Sequence, residues 1–577
     1  MISMVFFFHR LIKFTVLAAL LIFLVSISVW YYLNPIPPDR LVFINGPILT
    51  MDKKNRIAEA VLVEKDRIVA VGDKEDILVQ AGPDAKVVDL DGKPLLPGFI
   101  EAHGHFPGSG LDAIAADLNS PPIGRVVSII DVKEKLKLQA RTVSSGEWII
   151  GFGYDDTLLL ERRFLTRKEL DAISKKHPIM VMHISGHMSM VNSKALKRLG
   201  ISKDTPNPKG GEVVRDINGQ ATGVLKETAH NKARNKALKL SASRLLKLLQ
   251  NSVEDYTVEG VTTVQSGLTT PDLYKPITLL AGIGLIPQRL VIWPNLDLAK
   301  GLSNGKLEPV NNDKVSTGAL KITTDGSIPG YTGFLSLPYF RQAQGVNTNY
   351  RGYSSISSQE LNTLVNQWHS KGWQLALHAN GDAAIDMVID AIGRAQDTSP
   401  RKDSRHIMVH SQMARPNQLE AMAELQITPT FFPSHVYYWG DRYQNLFLGG
   451  SRASLISPLN TADKMGVRYS IHSDTPVTPI EPFKMAHHAV TRTTRKGSVL
   501  GKEERISVIR ALRAMTIDAA WQMFLEDDRG SIEPGKWADL IVISENPLEL
   551  RRELSDITVE QTWIGGVLRY DRNELTE

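Results

Sequence analysis

LPGFIEAHGHF, residues 96–106, decides how the chain is read. A short apolar run ends in His103 and His105, two residues apart. In a strand, residues i and i+2 point to the same side. Two imidazoles then face one point beyond the strand's end. Neutral imidazole is a favoured ligand for zinc and other transition metals.

Three later stretches have the same form. WQLALHANGD carries His378 at the end of its apolar run, RHIMVHSQM carries His410, and GVRYSIHSDTP ends in Asp474. A further one, GALKITTDGS, has Lys321 in its run and Asp325 just beyond. Catalytic groups of barrel enzymes sit at the carboxyl ends of parallel strands. Candidate strands fall at 96–102, 260–267, 286–293, 319–324, 374–380, 406–411, 427–433 and 468–473, mostly separated by helix-compatible stretches. That repeat predicts an α/β chain folded as a (β/α)8 barrel over residues 96–529. His103, His105, His378, His410 and Asp474 are the candidate metal ligands.

LPGFIEAHGH, GHMSMVNSKAL, GEVVRDINGQATGVLKETA, LKITTDGS, LHANGDAAID, HSDTPV and GSIEPGKWADLIVI together resemble the amidohydrolase superfamily, specifically the YtcJ-like amidohydrolase family 3, from about Leu41 to Tyr570. The resemblance implies a metal-dependent hydrolase of C–N or related bonds. It implies that both ends of the soluble chain pair into one small β domain, and it matches His187 to the family's GH…NS pattern. It also implies that Lys321, at the fourth strand, is carboxylated and bridges two metals; the competing reading is an ammonium paired with Asp325.

The balance of 67 basic and 62 acidic residues, net +5, is too even to argue for nucleic acid. There is no Cys, so thiolate ligands and disulfides are excluded and any metal has N and O donors only. One or two divalent ions, zinc foremost, suit such a set. A small-molecule substrate and a homodimer complete the expected partners.

FTVLAALLIFLVSISVWYYL, residues 14–33, has no charge and follows His9, Arg10 and Lys13. Twenty such residues are long enough to span a bilayer. Positive flanks predict an anchor and linker over 1–38, with the N-terminus in the cytoplasm and the enzyme outside, periplasmic in a Gram-negative cell. A cleaved signal peptide is the alternative.

Residues 39–95 and 530–577 alternate in the manner of strands with Gly and Asp turns, predicting a small β-sandwich from both ends. Residues 108–255 are a large insertion after the first barrel strand, far longer than an ordinary βα loop, and read as a lid or substrate domain. Its Trp148, Tyr154 and His187, with His435 after the seventh strand and Asp325, are the candidate substrate contacts. The basic stretch 226–250 reads as an amphipathic helix with a solvated face. Asp474 is the expected proton acceptor and donor for a hydrolytic water, with His378 assisting at the carbonyl. Esterase or lactonase chemistry, and a non-catalytic membrane-tethered binding protein, are the competing functions.

Overall fold

The structure is a computed structural model that describes residue 14 and residues 25–342, 347–549 and 551–575. Its centre is built of parallel strands in two sheets. Phe99–Ile100, Val261–Thr269, Arg289–Pro294 and Val315–Thr317 form the first. Leu320–Thr323, Leu375–Ala379, Ile407–His410, Thr428–Phe431 and Ser470–Ile471 form the second. Leu375–Ala379, Ile407–His410 and Thr428–Phe431 are buried at every residue, as parallel strands covered on both faces must be. Each fully buried Leu, Ile or Phe there contributes about 1.5–3 kcal/mol.

The intervening polar-apolar stretches are helices. Ser357 caps Ser358–Ser370 in a capping box with Glu360, Asn295 caps Leu296–Ser303, and Pro271 opens Pro271–Gly282 where its missing N–H costs nothing.

The fourth candidate strand, 319–324, is Leu320–Thr323 and pairs with Leu375–Ala379; a separate strand just before it, Val315–Thr317, pairs with Arg289–Pro294. The seam between Ser470–Ile471 and Phe99–Ile100 has no ladder among the described residues. Asp474 N donates to His103 O (3.2 Å), His105 N donates to Thr475 O (2.8 Å), and Ser473 N donates to Glu101 Oε1 (3.1 Å), so the two ends meet through their loops.

The chain termini share a sheet. Leu540–Ile543 pairs antiparallel with both Leu95–Pro97 and Val559–Ile564. A second sheet of Arg40–Ile44, Ala60–Glu64, Arg67–Gly72 and Lys86–Asp89 covers it, and Phe43 meets Trp563 edge-on at 5.2 Å in their common core. Arg289 binds Asp539 through two contacts, 2.6 and 3.0 Å, tying this unit to the parallel strands. Breaking such a buried pair from one side costs about 3–5 kcal/mol.

Between Ile100 and Val261 the chain forms a six-stranded sheet with an apolar cluster on each face. The basic stretch is two helices, Thr228–Ala237 and Ala242–Val258.

The membrane expectation is corrected. Most of the 14–33 run lies outside the described residues. Its described end, residues 25–33, is helical. Among the described residues no helix is long and apolar enough to cross a membrane. The localisation with an anchored N-terminus and an external enzyme therefore does not hold. Asn34, just past this helix, instead donates to Ile283 O (3.1 Å) and accepts from Lys314 Nζ (2.8 Å).

Candidate metal centre

The imidazoles of His103 and His105 converge on one carboxylate oxygen. Nε2 of His103 is 3.4 Å and Nε2 of His105 3.3 Å from Asp474 Oδ1. His410, the last residue of its strand, puts Nε2 4.0 Å from Asp474 Oδ2. His378 joins them ring against ring, 4.6 Å from His410, and Lys321 Nζ is 3.1 Å from His103 Nε2. Five strand ends thus deliver six side chains to one place.

Backbone conformation aims two of them. His410 and Asp474 have φ of 71° and 54°. A non-glycine residue there costs about 1–3 kcal/mol, and such strain clusters at functional sites. Each imidazole is also oriented from behind. His105 Nδ1 bonds Gly267 O (2.8 Å), and the ring of Trp293 stacks on His103 at 5.3 Å and 11°. His410 Nδ1 is 3.0 Å from His472 Nε2, whose Nδ1 is 3.0 Å from Thr430 Oγ1. Metal-bound histidines are ordinarily held by such outer contacts.

The donor set fits a divalent cation. Asp474 Oδ1 is buried and accepts no hydrogen bond, although two imidazole nitrogens face it. The ligand atoms of His103, His105 and Asp474 lie within 4.8 Å of one another. Burial holds His103, His378 and His410 well below the ordinary imidazole value, with neighbouring Lys321 and imidazoles adding to it. They are therefore neutral, the form that ligates. Burial pushes Asp474 up, but His105, His472 and Lys321 beside it outweigh that and leave its carboxyl below the usual range. Burial also drives Lys321 down to about 7.

The centre opens into a cavity of about 860 Å³ that extends into the insertion. His187 lines it, 5.1 Å ring to ring from His378, with Nδ1 on Glu227 Oε2 at 2.8 Å. Burial lowers the His187 pKa, but Glu227 and Asp325 more than offset this, so it ends above the ordinary value.

Four other expected contacts are not on this wall. Tyr154 is fully buried with its hydroxyl on Arg163 O (2.9 Å), and Trp148 is buried in the insertion's core. His435 is in the helix Ser434–Arg442, against Phe432 at 4.1 Å. Asp325 accepts from Phe334 N, Asn380 N and Gly381 N at 2.9–3.0 Å, which bind it as a loop anchor and leave it unpaired with Lys321. Burial drives its carboxyl up to about 7.

His472, a less secure candidate in the sequence, is the outer partner of His410. One partner was missed: Glu227 had no signal, because only the folded insertion brings it to His187. A separate group, Asp155, Asp156 and His183, already has its counter-ion in Arg442, 2.6 Å from Asp155 Oδ2.

The chain is similar to known proteins along most of its length. A model of the amidohydrolase family matches residues 86–570. An N-substituted formamide deformylase of Arthrobacter pascens is 30% identical over 545 residues, covering 92% of this chain and 98% of that protein. The putative amidohydrolase YtcJ of Bacillus subtilis (strain 168) is 27% identical over 551 residues, 92% of this chain and 100% of its own. An uncharacterized metal-dependent hydrolase of Pyrococcus horikoshii OT3 shares the fold at TM-score 0.71 and 24% identity, over 89% of this chain and 99% of that one. The chain belongs to the amidohydrolase family, metal-dependent hydrolases acting on C–N bonds other than peptide bonds.

Proposed function

We propose that this chain hydrolyses a small N-substituted amide, formamides included, at a metal centre held by His103, His105, His378, His410 and Asp474. One observation carries the reading: two imidazoles, His103 and His105, face a buried Asp474 oxygen that accepts no hydrogen bond. Zinc suits four imidazoles and a carboxylate. The similarity to a formamide deformylase supports the substrate class.

A divalent cation bound there supplies Lewis acidity toward the carbonyl and acidifies a water. Asp474 accepts that water's proton and passes it to the leaving nitrogen, which departs as a neutral amine. His187, whose pKa Glu227 raises, donates in its protonated form to the substrate oxygen from the cavity side, with His378 beside it. His472 and Thr430 hold His410 in register.

Lys321 fits the carboxylated form. No carboxylate is paired with it among the described residues, and Asp325 is engaged by backbone amides. Its neutral amine would add to CO2 and release one proton, giving an anion that offsets two cations. The same proposal divides the chain into a β unit of 39–95 and 530–577 and an eight-stranded barrel of 96–529 with the insertion 108–255.

Elemental analysis of purified protein, with a panel of formamides, longer amides, esters and lactones, tests the reading. At least one metal per chain and amide turnover lost on chelation are expected. Full turnover without metal, or cleavage of esters alone, would contradict it.

A further inference from the structure

One wall of the cavity beyond the metal centre is the helix Thr228–Ala237. His230, Arg234 and, just past the helix end, Leu238 recur every fourth residue and all line the cavity. Ala229, Ala233 and Ala237 occupy the other face and are buried in the insertion's core. Much of the surrounding wall is apolar, including Leu111, Phe152 and Leu248.

Arg234 is out of place there. Its guanidinium is always charged and half-buried against a largely apolar wall, where a charge is ordinarily paired. Among the described residues nothing accepts a hydrogen bond from it, and its pKa is lowered by burial with no acid nearby to offset that. Asp272, on the same cavity, is 3.0 Å from Lys239, so that pair carries no net charge. His230, one turn back, is held neutral by burial first and Arg234 second. His230 in turn neighbours His187, so the helix leads outward from the reaction centre, about 6 Å along its axis per four residues.

We propose that Arg234 is a specificity-determining residue that binds a carboxylate on the substrate, across an apolar chamber from the metal centre. This rests on the amide-hydrolase reading above and narrows it to amides whose non-reacting side carries several apolar carbons ending in a carboxylate. The planar guanidinium fork matches a carboxylate in two parallel hydrogen bonds. Arg234 offers one unpaired positive charge, which suits a monoanion; with Asp297 also lining the cavity, a phosphate dianion would add excess negative charge.

Hexanoate, hexanamide and butyl phosphate titrated calorimetrically into the metal-loaded protein test the site without turnover. In the wild type hexanoate is expected to bind more tightly than butyl phosphate. The ratio of hexanoate to hexanamide affinity should fall about 10–100-fold in Arg234→Gln, the range of a lost charge-assisted pair. Arg234→Lys, which keeps the charge and loses the fork, should retain part of that ratio. Metal content and Tm of each variant establish that the protein remains folded and loaded. An unchanged ratio in Arg234→Gln, or tighter binding of butyl phosphate, would overturn the proposal. The kcat/KM ratio of N-formyl-6-aminohexanoate to N-formylhexylamine should fall by a similar factor in Arg234→Gln. Arg234-dependent hexanoate binding with neither amide cleaved would sink the amide reading and leave the carboxylate site standing. Cleavage of both with no dependence on Arg234 would sink the site alone.

Discussion

His410 and His472 are joined ring to ring, Nδ1 to Nε2 at 3.0 Å. The contact sets which His410 nitrogen is left to face Asp474. Burial drives His472 down to about 3, so it is neutral and can share only one proton with its neighbour. His472→Ala should weaken metal affinity about 10–100-fold, the usual effect of losing an outer partner. Competition with a chelator measures it, and an unchanged affinity would assign His472 to packing alone.

Gly267 bears on the same centre from the other side. A Cβ there would stand 2.8 Å from His103 Cε1 and 2.7 Å from Gly104 O. Gly267→Ala should displace His103, lower metal occupancy and destabilise the protein by about 1–3 kcal/mol. Metal content and thermal melting report both, and full occupancy at the wild-type Tm would show that the loop accommodates the methyl group.

The acid–base state of His187 predicts a pH effect. Its pKa is raised through Glu227, so its protonated form is present below that value and lost as pH rises through it. If this proton assists the substrate, kcat/KM should decline on the alkaline side. Glu227→Gln removes the carboxylate and should move that decline to lower pH. A pH–rate profile with the same alkaline limb in the variant would remove His187 from the mechanism.

Lys321→Ala should lose metal and activity together if the carboxylated side chain bridges two ions. Short carboxylic acids supplied with metal should restore part of the rate. Retention of two metals per chain in Lys321→Ala would exclude the bridge.

The candidate metal centre was legible because its residues end apolar runs. His103 and His105 lie in the loop beyond Phe99–Ile100 rather than within a strand, while His378 and His410 stand at the ends of, and Asp474 follows, strand segments whose burial the sequence announces. The insertion was less legible because aromatic content does not say which face of a sheet a ring takes. Tyr154 and Trp148 went to the insertion's own core, while Phe152, between them, lines the cavity. The basic stretch presents Lys232, Lys236 and Lys247 to solvent as expected, while Arg234 lines the cavity; charge periodicity reads alike for a face toward water and a face toward a cavity. Among the strands, Val315–Thr317 was not legible, because its three residues hold one apolar side chain and form no run.

The central claim is that Asp474 both faces the metal and moves the proton. Asp474→Asn keeps an oxygen for the cation and cannot accept a proton, so metal content and kcat measured on one preparation separate the two roles. The account predicts near-normal metal with kcat reduced about 10²-fold or more, as for a lost general base. Near-normal kcat with metal present would contradict it and place the base elsewhere.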